Sequence, residues 1–180
     1  MVANHAIRPA VANWSFGGYP NAFSTRDKIS SLINNYNISF VKSAGNEARD
    51  AWQDRANRAT TEWVVGALNP TNDAFWSSSN YAVAGEPSVN MIAPGVNVLV
   101  ADKFNPGFGK IGSGTSFAAP YLAGVIAQYL QTNPTAAATV VYDAVNNYMT
   151  TYGSVQGIGG VAAATPNKEL HSLLWCIPTC

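Results

Sequence analysis

The sequence predicts an α/β domain, a three-layer arrangement in which a parallel sheet carries helices on both faces. Short apolar runs alternate along the chain with helical patterns of roughly 10 to 16 residues, a spacing typical of βαβ crossovers. Of the 180 residues, 47% are hydrophobic and 11% are charged. Because a single domain of this size can bury roughly 70% of its unfolded surface, the composition excludes an intrinsically disordered chain.

The first elements form a strand–helix–strand unit. Residues 11–14 are an apolar run that predicts a buried strand, and residues 15–20, with two glycines and a proline, predict a loop. Ser24, followed three residues later by Asp27, resembles a helix capping box. The i, i+3, i+4 and i+7 spacing of an amphipathic helix then appears in Ile29, Leu32, Ile33 and Tyr36. Residues 38–43 predict the second strand.

The remaining elements continue the alternation. Residues 47–60 are rich in charge, asparagine and arginine, which predicts a surface excursion. Apolar runs predict further strands at 63–67, 89–93 and 96–100. Residues 115–130 predict an alanine-rich helix that tolerates Pro120 in its first turns. A last amphipathic helix is marked by Val140, Val141, Ala144, Val145 and Tyr148.

Charge and hydropathy exclude several classes of partner. Ten basic residues balance ten acidic ones and no basic run occurs, so we predict neither nucleic acid nor a membrane surface as a partner. No stretch approaches the ~20 apolar residues of a spanning helix. The first ten residues lack the apolar segment of a signal peptide, so the localisation of this chain stays open.

The chemistry concentrates in the segment G-S-G-T-S-F-A-A-P-Y-L-A-G at residues 112–124. Ser116 stands where a glycine-rich loop turns into a helix, beside converging backbone N–H groups and the positive end of the helix dipole. Such a place suits a nucleophile whose product is an oxyanion. On local physics alone, an ordinary serine at the start of a helix remains the alternative.

Residues 114–124 resemble the nucleophile motif of the subtilisin-like serine proteases, the subtilases. Three further blocks occur in the family's order: N-W-S-F-G-G at 13–18, S-A-G-N at 43–46 and A-P-G at 93–95. T-P-N at 165–167 is similar to the ending of proteinase-K-like members. The resemblance implies a subtilisin-like fold and a serine endopeptidase activity on peptide or protein substrates.

Carried over position by position, the resemblance implies catalytic roles for Ser116 and Asn46. Ser116 would be the nucleophile and its backbone N–H one oxyanion donor, while Asn46 would offer its side-chain amide as the second; the alternative for Asn46 is an ordinary loop asparagine. One wall of the substrate groove would be formed by Ser15, Phe16 and Gly17, which pair with substrate backbone. The other wall would be formed by Ser43, Ala44 and Gly45.

The aspartate and histidine motifs of the family's triad, D-T/S-G and H-G-T, do not occur in the sequence. His5 and His171 lack the glycine context of the family's base, and none of the six aspartates has a family motif around it. We therefore expect residues 1–165 to be the C-terminal portion of a subtilase catalytic domain without its N-terminal strands, and residues 166–180 to be a tail. The missing half of the catalytic domain is a candidate partner. A non-catalytic peptide-binding or regulatory remnant is the alternative function.

The sequence predicts no cofactor and no glycosylation. The family commonly binds structural calcium, but no ligand motif can be mapped onto the acidic residues, so we predict no metal and no other cofactor. Cys176 and Cys180 fit a surface pair of thiols or a local disulfide better than half of a zinc site, which needs about four ligands. The sequon at Asn37 overlaps a predicted strand, which favours a structural role.

Overall fold

The computed structural model describes residues 8–16, 22–51, 59–83 and 88–152. Within these ranges the chain forms seven strands and three helices. In chain order they are β1 (Ala10–Trp14), α1 (Ala22–Asn34), β2 (Ile38–Ser43), β3 (Trp63–Asn69), β4 (Ala74–Phe75), β5 (Met91–Pro94), β6 (Val98–Ala101), β7 (Gly109–Gly112), α2 (Thr115–Thr132) and α3 (Ala138–Tyr152).

The main sheet is built on the parallel strands β1, β2, β3 and β5. β1 pairs with β2, β2 with β3, and β3 with β5, in registers that set Trp14 beside Lys42 and Ser43 beside Val65. Since parallel strands point the same way, the loops that follow β1, β2 and β5 leave from one edge of the sheet. That edge is where open α/β sheets place their ligands.

Alternate residues of the strands face opposite helical layers. Phe40 on β2 packs with Ile29 and Ile33 of α1 on one face, whereas the next residue, Val41, joins the cluster formed with α2 on the other. The α2 side of this core is made by Ala118, Ala119, Leu122, Val125 and Ile126. The helix–sheet–helix layering confirms the predicted α/β fold.

Helix α2 lies against the sheet because its first turns carry small residues. Ala118 and Ala119 are fully buried. Pro120 is the sixth residue of the helix, and the carbonyl that loses its N–H partner, that of Ser116, accepts a hydrogen bond from the Ser15 hydroxyl instead. A Cβ on Gly95 would lie 2.8 Å from the Ala67 Cβ and 3.1 Å from the Ala118 Cβ. The A-P-G turn after β5 therefore needs glycine to let the helix approach the sheet.

Two antiparallel features depart from the predicted parallel arrangement. β4 pairs antiparallel with the end of β3, and β6 and β7 form a separate hairpin with Leu99 opposite Ile111. The predicted strand at 96–100 lies instead at Val98–Ala101, and β7 was not predicted. The prediction failed because β7 consists of glycine, lysine, isoleucine and glycine, which form no apolar run.

The capping box predicted at the start of α1 is wrong. The helix begins at Ala22, so Ser24 already lies inside it. The Asp27 carboxylate accepts hydrogen bonds from the Arg26 side chain at 3.0 and 3.1 Å, in an exposed ion pair. Tyr36, predicted on the helix face, lies in the turn after Asn34.

The predicted surface excursion at 47–60 is also partly wrong. Ala51 and Ala59 are buried, and Asp50 forms an isolated parallel bridge with Tyr81. Ala51 packs with Ala44, Val64, Ala82 and Val89. The ends of this segment therefore belong to the core despite its polar composition. In the part of the chain that the structure describes, no helix is long and apolar enough to cross a membrane.

Candidate active site

Ser116 is the second residue of α2, at the sheet edge where the strands end. The turn before it is fixed by a hydrogen bond of 2.7 Å from the Gly114 N–H to the Gly95 carbonyl. First-turn N–H groups of a helix have no intrahelical acceptor and stand at the positive end of its dipole. The backbone N–H of Ser116 is accordingly a suitable donor for a developing negative charge.

Ser15 and Ser116 are linked by two hydrogen bonds. The Ser15 hydroxyl donates to the Ser116 carbonyl at 2.8 Å, and the Ser116 hydroxyl donates to the Ser15 carbonyl at 3.1 Å. Asn13 supports this arrangement because its side-chain amide donates to the Ser15 hydroxyl at 2.9 Å. The end of β1 therefore lies directly against the start of α2, although 101 residues separate the two serines in sequence.

Asn46 is held against the residue that precedes Ser116. Its Oδ1 accepts hydrogen bonds from the backbone N–H and the hydroxyl of Thr115, both at 2.9 Å. A backbone N–H can only donate, so the atom facing it must be the amide oxygen. The Nδ2 donor of Asn46 consequently points away from Thr115, and it has no hydrogen-bond acceptor among the described residues.

Thr115 lies between the loop after β2 and the start of α2, and it is fully buried. Its hydroxyl accepts a hydrogen bond from the Gly45 N–H at 3.1 Å while it donates to Asn46. One threonine side chain thus fixes two consecutive residues of the loop that follows β2. Thr115 belongs to the nucleophile block, but the sequence does not indicate its role, because a contact across 69 residues leaves no local pattern.

The loop after β2 is sharply constrained. Gly45 has a φ of +103°, a conformation that glycine adopts without strain, and a Cβ there would lie 2.6 Å from the Glu47 Oε2 and would also contact Asn80. Ser43 and Ala44 are buried, whereas Gly45 is half-buried. Of the three predicted wall residues at the end of β2, only Gly45 offers substantial surface to a ligand.

The predicted wall after β1 is only partly described. Ser15 is half-buried and contacts Ser116, and Phe16 is 70% exposed beside it. Gly17 lies outside the described residues. Phe16 therefore presents a large apolar surface one residue after the serine that bonds to Ser116.

Several sequence predictions fall on residues that the structure does not describe: His5, Asp54, His171, Cys176 and Cys180. Two of the described aspartates have hydrogen-bond partners other than Ser116. Asp50 accepts a hydrogen bond from Ser88 at 3.3 Å, and Asp102 follows β6 as predicted. Among residues 8–16, 22–51, 59–83 and 88–152, no group of three or more metal-ligating side chains is present.

Comparison with known proteins assigns the family. A model of the subtilase family matches residues 2–164, so the match includes all four sequence blocks and nearly the whole chain. The chain belongs to the subtilase family, the subtilisin-like serine proteases.

Similar proteins agree with this assignment. The extracellular serine proteinase of a Thermus species is 35% identical over 150 residues, which are 83% of this chain and 35% of the relative. Alkaline serine exoprotease A of Vibrio alginolyticus is 34% identical over 172 residues, 96% of this chain and 30% of the relative. The chain thus spans about a third of the length of these curated relatives.

A solved structure confirms the fold. The crystal structure of a cold-adapted subtilisin-like serine proteinase superposes with a TM-score of 0.71 at 28% identity, over 95% of this chain and 57% of that chain. The chain therefore spans somewhat more than half the length of that solved chain.

Proposed function

We propose that this chain supplies the nucleophile and oxyanion half of a subtilisin-like serine endopeptidase. Ser116 is the nucleophile, and its backbone N–H and the Asn46 amide are the oxyanion donors. The observation that carries the proposal is the orientation of Asn46. Its oxygen is held by Thr115, so its N–H donor is directed outward at the start of the helix that carries Ser116.

The proposed reaction is acyl transfer. The Ser116 Oγ forms a bond to the carbonyl carbon of a peptide, and its proton passes to a general base while the carbonyl oxygen becomes negative. The two donors stabilise that oxygen. The carbonyl double bond then re-forms, the C–N bond breaks, and the base delivers the proton to the leaving amine. Water hydrolyses the acyl-enzyme by the same route, which regenerates the Ser116 hydroxyl.

The described residues contain no histidine, so we propose that the base and its orienting aspartate come from elsewhere. A serine hydroxyl is a weak nucleophile when no base takes its proton. The proposal therefore assigns the histidine and aspartate to the N-terminal half of a subtilase catalytic domain, carried by the same polypeptide or by a second one. Peptide or protein substrates would lie between Ser15, Phe16 and Gly17 on one side and Ser43, Ala44 and Gly45 on the other.

A second candidate is a non-catalytic peptide-binding module. It is favoured by the direction of the Ser116 hydroxyl, which donates to the Ser15 carbonyl at 3.1 Å. A carbonyl oxygen does not take up a proton at neutral pH, so this hydrogen bond holds the serine in its unreactive form. In this alternative the groove next to β1 binds extended peptide without cleaving it.

Context for the proposal comes from the relatives. The Thermus protein is named an extracellular proteinase, and we propose that a full-length protein containing this chain acts outside the cell as well. We propose no cofactor. Residues 166–180 are proposed to be a tail outside the catalytic domain, and they lie outside the described residues.

The decisive experiment is reconstitution. The purified 180-residue chain is mixed with a polypeptide that supplies the family's aspartate and histidine motifs, and cleavage of a chromogenic peptide is followed. We expect turnover only in the mixture, and we expect Ser116→Ala to abolish it. Turnover by the chain alone would refute the assignment of the base to another segment. Saturable peptide binding that never yields cleavage would establish the second candidate.

A further inference from the structure

Asn80 is a buried amide that lies behind the loop after β2. It is 1% exposed and belongs to no helix or strand. Its Oδ1 accepts hydrogen bonds from the backbone N–H groups of Glu47 and Arg49, at 3.0 and 3.2 Å. Its Nδ2 donates to the Ala44 carbonyl at 3.0 Å and to the Glu47 carboxylate at 2.7 Å. All four hydrogen-bonding positions of the amide are therefore directed at one short loop.

This arrangement permits only one orientation of the amide. Its oxygen faces two N–H donors and its nitrogen faces two oxygen acceptors, so a rotated amide would lose every hydrogen bond. The backbone N–H of Asn80 adds a fifth, to the Gly45 carbonyl at 3.0 Å. Asn80 thus contacts the loop on both sides of Asn46 without bonding to Asn46 itself.

The loop held by Asn80 carries the candidate oxyanion donor. The Glu47 carboxylate that accepts from Asn80 also accepts from the backbone N–H of Asn46, at 3.1 Å. The Asn46 side chain then reaches Thr115. One connection from Asn80 to the start of α2 therefore runs through Glu47 and Asn46. A second runs through Gly45, whose carbonyl accepts from the Asn80 N–H and whose N–H donates to the Thr115 hydroxyl. Asn80 itself has no hydrogen bond to residues 114–116 among the described contacts.

We infer that Asn80 is the positioning residue of the oxyanion hole: it fixes the Ala44–Arg49 loop so that the Asn46 amide meets Thr115 and turns its Nδ2 toward the reacting carbonyl. The catalytic part of the inference, the effect of Asn80 on the oxyanion hole, rests on the proposed function. Its structural part, the control of the Asn46–Thr115 contact by Asn80, stands independently. A misplacement of about 1 Å at such a donor can cost on the order of 10²-fold in rate.

The structural part is tested by amide hydrogen exchange on the full chain. In Asn80→Ala the N–H groups of Glu47 and Arg49 lose their acceptor directly. The inference predicts that the Thr115 amide, which Asn80 does not contact, also loses protection. The loss, measured relative to the amides of β3 and β5, should be about tenfold or more, because one hydrogen bond is lost. If the Thr115 amide keeps its protection while those of Glu47 and Arg49 lose theirs, the inference is wrong.

Two further variants keep the test sharp. Asn80→Asp has the same shape but places a carboxylate against the Ala44 carbonyl and the Glu47 carboxylate, so we expect the same loss at Thr115 even if Asn80→Ala does not fold. Asn90→Ala is the matched control. Asn90 is also a buried amide, which accepts from Val64 N–H and donates to the Glu62 carbonyl and the Tyr142 hydroxyl, but it does not contact the Ala44–Arg49 loop. If Asn90→Ala also lowers the protection of the Thr115 amide relative to the amides of β3 and β5, the effect of Asn80 is general destabilisation and the inference is wrong.

The catalytic part is tested in the reconstituted mixture. Asn80→Asp should lower kcat about 10- to 100-fold with little change in KM, because a misdirected oxyanion donor weakens transition-state binding only. An unchanged kcat in a mixture whose wild-type form is active overturns the positioning role. If the wild-type mixture is inactive but the Thr115 amide responds to Asn80, the proposed function fails while the control of Asn46 by Asn80 is retained.

Discussion

The Ser116 hydroxyl donates to the Ser15 carbonyl at 3.1 Å, and the Ser15 hydroxyl donates back to the Ser116 carbonyl at 2.8 Å. Because one partner in each hydrogen bond is backbone, the pair sets the end of β1 relative to the start of α2. Only one of the two bonds can be removed by truncating Ser15. The pair can therefore be dissected without disturbing the hydroxyl of Ser116.

Ser15→Ala is expected to lower the free energy of unfolding by about 0.5–1.5 kcal/mol, because the part-buried hydrogen bond to the Ser116 carbonyl is lost together with the exposed one from Asn13. Denaturant titration followed by tryptophan fluorescence measures this. The control is Ser31→Ala, whose hydroxyl accepts only an exposed bond from Asn35 and should change stability by less than about 0.5 kcal/mol. Equal effects of the two substitutions would show that the Ser15–Ser116 contact contributes nothing.

Asn46→Leu is expected to lower kcat of the reconstituted enzyme by about 10²–10³-fold with KM nearly unchanged, because the lost donor acts on the transition state. Steady-state kinetics on a chromogenic peptide separates the two constants. Asn35→Leu, an exposed asparagine at the end of α1, is the matched control and should leave both constants unaltered. A rise in KM at constant kcat would assign Asn46 to substrate binding instead.

Asn37 illustrates a structural role for a sequence motif that also fits glycosylation. Its Oδ1 accepts from the Ala138 N–H at the start of α3, and its Nδ2 donates to the Ala136 carbonyl at 3.2 Å. Asn37→Ala should cost about 0.5–2 kcal/mol of stability, as for other lost helix caps, whereas Asn34→Ala at an exposed position should cost far less. Efficient modification of Asn37 in the folded chain, detected as a mass increase, would contradict this role.

The sequence predicted the parallel strands and the layers because their signals are local. The apolar runs that became β1, β2, β3 and β5 are contiguous, and each was placed within two residues of its observed bounds. Residues 13–16, 43–46 and the start of the block at 114–124 also come together at one sheet edge, since parallel strands end on the same side. Their catalytic roles stay predictions.

What the sequence did not reveal depends on contacts between distant residues. Asn80 follows three serines, and nothing around it indicates that its amide binds a loop 33 residues earlier. The pairing of β6 with β7 is similarly hidden, because β7 consists of glycine, lysine, isoleucine and glycine and forms no apolar run. Burial of Ala51 and Ala59 is set by tertiary packing that overrides the polar composition of their neighbours.

Asp102 provides a pH-dependent prediction for that hairpin. The N–H of Phe104 and the side-chain amide of Asn105 donate to its carboxylate at 2.9 and 3.1 Å. These bonds, that of Phe104 foremost, lower the pKa of Asp102 below its ordinary value. Because the charged form is favoured in the fold, the stabilisation is present above the ordinary aspartate pKa and is lost as the pH falls through the lowered pKa.

NMR titration of the Asp102 carboxyl carbon should therefore give a midpoint below that of a model peptide. Asp102→Asn should be less stable than the wild type near neutral pH, and the difference should vanish in acid. Asp143→Asn, on the exposed face of α3, controls for the removal of one negative charge. A midpoint at or above the model-peptide value would show that the turn does not favour the charged form.

The last prediction concerns the edge of the sheet. Among the described strands β1 pairs on one side only, with β2, and the chain matches 57% of a subtilisin-like chain. An unpaired edge of a hydrophobic sheet promotes association, so we expect the isolated chain to self-associate at tens of micromolar concentration, as measured by multi-angle light scattering. Trp14→Lys, which places a charge at the exposed end of β1, should reduce the association.

Phe104→Ser is the control, because Phe104 is 76% exposed on the hairpin and is not part of the main sheet. If Phe104→Ser rather than Trp14→Lys yields monomers, the hairpin and not the β1 edge mediates the contact, and a monomeric wild-type chain would show that the edge is already protected.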